Sequence, residues 1–237
     1  MDRLTIQVGP YEVNCTVLAD AGRAWIVDPG QEPGRIAGLL ADRGLAPAAI
    51  LLTHAHFDHI GGVHGLQGEF PGLPVYLGRE DVAVITHPMN QMPPDYPAVG
   101  RPADLRDACA LAGDLPGVEV IATPGHTPGG VCYYFAGEKL LLSGDTLFAG
   151  SVGRTDLPGG DMPALVKSLR RLAALPDDTA VVPGHGPLTT IAAERGANPY
   201  LRAVVSGPCP GTTAVSSGRA ASLLSDFTSA GMSPPGR

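Results

Sequence analysis

Three histidines and an aspartate, His54, His56, Asp58 and His59, fall within six consecutive positions of Thr53-His54-Ala55-His56-Phe57-Asp58-His59, directly after the apolar run Ala49-Ile50-Leu51-Leu52. Imidazole and carboxylate without cysteine are ligands for zinc, iron or manganese. In an extended segment His54 and His56 point the same way, because side chains alternate with a period of two. Asp58 and His59 lie at the turn into the next segment and face the same space from another side. The pair Gly61-Gly62 lets the backbone pack closely there.

Three further candidates each follow a short apolar strand and a glycine, the place where α/β folds gather functional side chains. His126 sits in Pro124-Gly125-His126-Thr127-Pro128-Gly129 after Val118 to Ala122, Asp145 in Ser143-Gly144-Asp145 after Leu140-Leu141-Leu142, and His185 in Pro183-Gly184-His185-Gly186 after Ala180-Val181-Val182. An open catalytic zinc site takes about three protein ligands, whereas five histidines and two aspartates are on offer. Two divalent ions are therefore expected, zinc first, with iron or manganese compatible with the same ligands. The division places His54, His56 and His126 on one ion, Asp58, His59 and His185 on the other, and Asp145 between them. Asp58 and Asp145 are the carboxylates assigned to catalysis, with a hydroxide held between the ions. Taken singly, each residue has an ordinary reading, Asp58 as a helix cap and Asp145 as part of a turn.

The pattern HxHxDH, then GH, GD and GH, resembles the metallo-β-lactamase superfamily from about Met1 to Arg202. Within it, Gly144-Asp145-Thr146-Leu147-Phe148 and Gly153-Arg154-Thr155-Asp156 resemble the glyoxalase II-like (hydroxyacylglutathione hydrolase-like) branch, and persulfide dioxygenases of the superfamily carry a stretch similar to the second. The resemblance implies an α+β fold, an αββα sandwich of two mixed β-sheets flanked by helices. It also implies hydrolysis of a small-molecule thiolester. No separate general acid shows in the sequence, which agrees with a thiolate leaving group, since a thiol ionises near pH 8.5. Two alternatives stand beside it: a persulfide dioxygenase using one Fe(II) on His54, His126 and Asp145, and a hydrolase of another ester or a lactone. A non-catalytic scaffold on this fold would usually have lost ligands, and none is missing. Glyoxalase II proper continues into a helical domain that helps hold glutathione, so glutathione itself is not carried over.

At 237 residues and 44% hydrophobic content, the chain suits one large globular domain. A formal charge of −7, from 16 basic and 23 acidic residues, lacks the positive footprint that a nucleic-acid substrate needs. No run approaches the ~18 apolar residues of a membrane span. Residues 1–8 read as a strand rather than a signal peptide, and Cys15, Cys109, Cys132 and Cys209 show no ligand spacing. A cytoplasmic location with free thiols is the expectation. The lack of an export signal and the histidine at 59 both argue against an antibiotic-destroying β-lactamase.

The elements that must position these residues are strands at Leu4–Val8, Val13–Leu18, Ala24–Val27, Ile50–Thr53, Val75–Leu77, Val118–Ala122, Val131–Phe135, Lys139–Leu142 and Thr179–Val182. Helices are expected at Glu32–Arg43, from Asp58 to about Gln67, around Arg79–Ile85, from Met162 to Ala174 with Asp161 as N-cap, and near Thr190–Arg195. His87 to Asp104, rich in proline, reads as a long loop whose Met89, Met92 and Tyr96 could wall the site. Arg154 and Asp156 read as a bracing ion pair or as pocket lining. His64 and His87 read as surface residues, and Asn198-Pro199-Tyr200 as the end of the last helix. The domain is placed at residues 1–203. Residues 204–237 read as a low-complexity tail with a short helix from Arg219 to Phe227.

Overall fold

A computed structural model describes residues 1–91 and 98–206. The N-terminal half supplies β1 (Asp2–Val8), β2 (Val13–Asp20), β3 (Arg23–Val27), β4 (Ala46–Leu51), β5 (Val75–Leu77) and β6 (Leu105–Asp107), which form one sheet in that order. A second sheet has the order β13-β12-β9-β8-β7, built from β7 (Val118–Ala122), β8 (Val131–Phe135), β9 (Leu140–Gly144), β12 (Ala180–Pro183) and β13 (Thr189–Thr190). The strands β10 (Leu147–Phe148) and β11 (Ser151–Val152) form a separate ribbon. Both large sheets are mixed. The pairs β3–β4 and β9–β12 are parallel, whereas β1–β2 and β8–β9 are antiparallel.

Alternation along the strands explains why they read as nearly continuous apolar runs: both faces are buried. Trp25, Val27 and Leu51 point inward to a core shared with Tyr133, Phe135, Leu142 and Val182 of the second sheet. Their neighbours Ala24, Ile26 and Ile50 point outward against Ile36 and Leu40 of α1 (Pro33–Asp42) and Val63 and Leu66 of α3 (Val63–Glu69). On the other side, Cys132, Leu141 and Val181 meet Leu165, Leu169 and Leu172 of α5 (Met162–Ala173) and Leu201 of α7 (Pro199–Ser206). Three apolar layers thus hold four layers of structure, the expected αββα sandwich. Asp161 caps α5 by accepting from the Ala164 N–H at 2.8 Å, with Pro163 in the first turn, as the sequence indicates.

Several expectations are corrected. The helix expected from Asp58 to Gln67 is two helices, α2 (Phe57–Ile60) and α3, parted at Gly61-Gly62. There the backbone presses on residues 29 and 30; a Cβ on Gly61 would lie 3.0 Å from the Gly30 carbonyl, one on Gly62 3.1 Å from that of Pro29. The segment Arg79–Ile85 is a 3₁₀ turn followed by α4 (Val82–Ile85). Strand β4 stops at Leu51, two residues early, which frees the chain to bend around the site. The short strands β6, β10, β11 and β13 and a 3₁₀ helix at Ala108–Gly113 carry too few residues to show a period. The last described helix runs through the limit placed after Ala203, with Val204 buried against the outer core, so that limit cuts a helix. The tail from 207, its expected helix and Cys209 lie outside the described residues.

Candidate metal centre

The parallel pairs β3–β4 and β9–β12 bring their carboxyl ends to one edge of the sandwich, and all seven sequence-predicted residues converge there. His54, His56 and His126 form one trio, and Asp58, His59 and His185 another; within each, one donor atom per residue lies within 4.8 Å of the others. His56 Nδ1 is 2.9 Å from His126 Nε2, and His59 Nε2 is 3.2 Å from His185 Nε2, which is 3.2 Å from Asp58 Oδ2. Asp145 lies between the trios, with Oδ1 3.4 Å from His59 Nε2 and Oδ2 3.6 Å from His126 Nε2 and 3.7 Å from His185 Nε2.

These spacings fit a metal. At the usual metal–nitrogen distance, neighbouring ligand atoms of a tetrahedral ion stand about 3.3 Å apart. Further, His54 Nε2 and Asp145 Oδ1 are buried without a hydrogen-bond partner among the described residues. Leaving such atoms unmet is costly, and an ion would satisfy both.

The outward ring nitrogens explain how the rings are oriented. His126 Nδ1 donates to the Arg154 carbonyl at 2.7 Å and His185 Nδ1 to the Tyr11 carbonyl at 2.8 Å. His59 Nδ1 donates to Asp28 Oδ2 at 3.0 Å. Thr53 Oγ1 gives its own proton to Asp28 Oδ2, so it accepts from His54 Nδ1 at 3.0 Å. Each of the four rings is thereby held by a hydrogen bond on its far side, with the other nitrogen turned to the centre.

Electrostatics divide the trios. Burial, then neighbouring imidazoles, lowers His54, and burial followed by His126 brings His56 down to about 4, so both are neutral near pH 7. Burial also opposes a charge on His59, but Asp145, Asp58 and Asp28 outweigh it and raise its pKa. His185 behaves likewise through the hydrogen bond to Asp58 and the charge of Asp145. Burial would raise Asp145, yet His59 and the other histidines hold it well below the usual carboxylate range. An ion entering the second trio must displace protons, as metal binding at histidine generally does.

The sequence reading missed the groups that hold the loop. Asp28 is buried with a left-handed φ of 47°, and its Oδ1 accepts from the Thr53 N–H at 2.8 Å. Buried Asp81 accepts from the Ala55 N–H at 3.0 Å, and Asn90 Oδ1 from the Phe57 N–H at 2.8 Å. Asn14 of β2 grips the His185 loop by donating to the carbonyls of Pro183 and Gly186 at 3.0 and 2.9 Å. The available signal was position: Asp28 and Asp81 both follow the carboxyl end of a buried strand.

The remaining candidates lie outside the cluster. His64 and His87 are exposed, the former beside the Gly100 carbonyl and the latter accepting from the Met89 N–H. The side chains of Arg154 and Asp156 pair with each other at 2.6 Å, 60% and 67% exposed. Asn198 ends α6 (Ile191–Ala197) and accepts from the Tyr200 N–H as α7 begins, while Tyr200 packs on the outer core. Met89 is exposed, and Met92 and Tyr96 lie outside the described residues. No helix among the described residues is long and apolar enough to cross a membrane.

Comparison with known proteins follows the same lines. The model of the metallo-beta-lactamase superfamily matches residues 8–185. "Probable metallo-hydrolase YqgX" of Bacillus subtilis is 39% identical over 201 residues, covering 82% of this chain and 94% of that protein. "Hydroxyacylglutathione hydrolase GloC" of Haemophilus influenzae is 33% identical over 204 residues, covering 83% and 96%. Among solved structures, BLEG-1 B3 metallo-beta-lactamase superposes with a TM-score of 0.74 at 38% identity, covering 84% of this chain and 99% of that one. TTHA1623 in a di-iron-bound form gives 0.71 at 40% identity, covering 83% and 99%.

Proposed function

This chain belongs to the metallo-beta-lactamase superfamily, and from that premise we propose that it is a dinuclear metallo-hydrolase cleaving a small-molecule thiolester. The observation that carries the proposal is the pairing of two complete donor trios across one carboxylate, Asp145. Bound there, divalent ions would supply a water-derived nucleophile at neutral pH and polarise the carbonyl under attack. His54, His56 and His126 would hold one ion and Asp58, His59 and His185 the other. Asp28, Thr53 and the carbonyls of Arg154 and Tyr11 keep the rings from turning, so the donors need no rearrangement to bind. Asp58 and Asp145 serve as ligands. A leaving group that departs as a thiolate needs no proton donor.

The thiolester reading is supported by likeness to GloC, and the two-ion reading by likeness to the di-iron TTHA1623. The same likeness makes iron the alternative to zinc. BLEG-1 makes a β-lactam the competing substrate.

Metal analysis of the purified full chain should find two ions per chain. Thiol release from hydroxyacyl thiolesters should proceed under nitrogen and be abolished by Asp58→Ala. A fully metallated protein that never exceeds one ion sinks the dinuclear reading. Turnover of a chromogenic β-lactam without thiolester turnover would overturn the substrate class. So would iron-dependent oxygen uptake with a persulfide that survives Asp58→Ala.

A further inference from the structure

Asp81 is fully buried, and nothing in the hydrolytic chemistry above uses it. It sits at the N-cap position of α4, where an aspartate ordinarily accepts from its own helix. Its side chain makes no such bond. Instead the carboxylate reaches two other loops. Oδ2 accepts from the Ala55 N–H at 3.0 Å and from Thr127 Oγ1 at 2.8 Å, and Oδ1 accepts from the Gly129 N–H at 2.6 Å. Ala55 stands between His54 and His56, and Thr127 follows His126. One carboxylate therefore spans the two loops that carry the three histidines of the first trio.

The approach of these loops is built in. A Cβ on Gly129 would lie 2.9 Å from Asp81 Oδ1, and one on Gly78 would strike the Gly129 carbonyl, so only glycine at both positions lets residues 78–81 press against the His126 loop. Asp28 and Asn90 also brace the His54–His59 loop, but their bonds do not reach the His126 loop. Burial pushes the Asp81 carboxyl up, and the bonds from Gly129, Thr127 and Ala55 oppose that shift.

We infer that Asp81 is a positioning residue for the first ion, setting the separation of His54 and His56 from His126 without touching the ion itself. The inference rests on the metal-site reading above. It further requires that the effect be confined to one trio, because Asp81 makes no bond to Asp58, His59 or His185.

Asp81→Asn is isosteric, yet its amide must face either the Ala55 or the Gly129 N–H with another donor, so one of the bonds that span the two loops is lost. The test uses zinc(II) titration of the full chain against a chromophoric chelator in two backgrounds. In His185→Ala, where only the first trio is complete, Asp81→Asn should weaken zinc binding by about 10- to 100-fold, the usual effect of losing a ligand's supporting partner. In His56→Ala, where only the second trio is complete, the change should stay within about threefold. Asp81→Glu, which keeps both oxygens, should recover part of the loss in the first background. Equal losses in both backgrounds, or a fall in the melting temperature of the metal-free protein with zinc affinity unchanged, would overturn the inference and leave Asp81 a structural residue. A wild type holding one zinc would defeat the dinuclear reading, while the first background still tests Asp81.

Discussion

The loop after β4 supplies four donors in six residues, whereas the loops after β7, β9 and β12 supply one each, and the two regions are held by different means. In the first, the side chains of residues 54, 56 and 58 turn to the centre while the intervening N–H groups of 53, 55 and 57 find no strand partner. Asp28, Asp81 and Asn90 meet those three in turn. In the second, a glycine precedes each candidate ligand and there is no space for a Cβ. On Gly125 it would enter the Leu165 backbone, on Gly144 the Thr53 side chain, and on Gly184 it would overlap Asp145 Oδ1 and lie 2.7 Å from His59 Cε1. A contiguous ligand loop needs imported acceptors, and dispersed ligands need close backbone approach.

The largest expected effect breaks the first arrangement. Asp28→Ala strips the acceptor from the Thr53 N–H, the Thr53 hydroxyl and the His59 ring together, and through Thr53 it also loosens His54. Removing one side of such a buried pair costs roughly 3–5 kcal/mol. Denaturant unfolding of the metal-free protein should show that loss, and metal content should fall in both trios. A loss below about 1 kcal/mol, the scale of an ordinary hydrogen bond, would mean that the imported acceptors do not hold the loop.

The second arrangement is tested by Gly184→Ala. One methyl group displaces Asp145 or His59, and a misplacement of about 1 Å can cost about 10²-fold in rate. The stability loss should be smaller, about 1–3 kcal/mol for overpacking. Gly196→Ala, in α6 with open space around it, is the control and should leave stability within about 1 kcal/mol of wild type or raise it. If both substitutions leave thiolester turnover intact, close approach at Gly184 is not what sets Asp145.

The same contrast decides what could be read from the sequence. Candidate ligands clustered in one loop announce themselves by spacing, and His126, Asp145 and His185 by the strand and glycine before each. The long strands were legible because apolar residues fill both of their faces. Asp28 and Asp81 gave only the signal of their place after a buried strand, and Asn90 and Asn14 gave none, because the partners of all four lie 25 or more residues away and only folding brings them together. Likewise the break at Gly61-Gly62 depends on the carbonyls of Pro29 and Gly30, which no local pattern reveals. Short pairings such as β10–β11 carry too few residues to show a period.

The smallest expected effect sharpens the comparison at Arg154, whose backbone and side chain do separate things. Its carbonyl orients His126, while its guanidinium pairs with Asp156 in solvent. If the Arg154 carbonyl is what orients the His126 ring, the side-chain pair is dispensable to the centre. Asp156→Asn should then change zinc affinity by less than about twofold and stability by no more than about 1 kcal/mol, as for exposed ion pairs. The pH dependence has a definite sign. Hydrogen bonds from Arg154 hold the Asp156 carboxyl down at about 2, so the pair contributes fully above the ordinary carboxylate value near pH 4 and fades as pH falls toward 2. Thermal melts of the metal-free wild type and variant should therefore differ slightly at pH 7 and converge below about pH 4. A tenfold loss of zinc affinity in Asp156→Asn would show that His126 depends on the exposed ion pair as well as on the Arg154 carbonyl, and the contrast between the two regions would fail there.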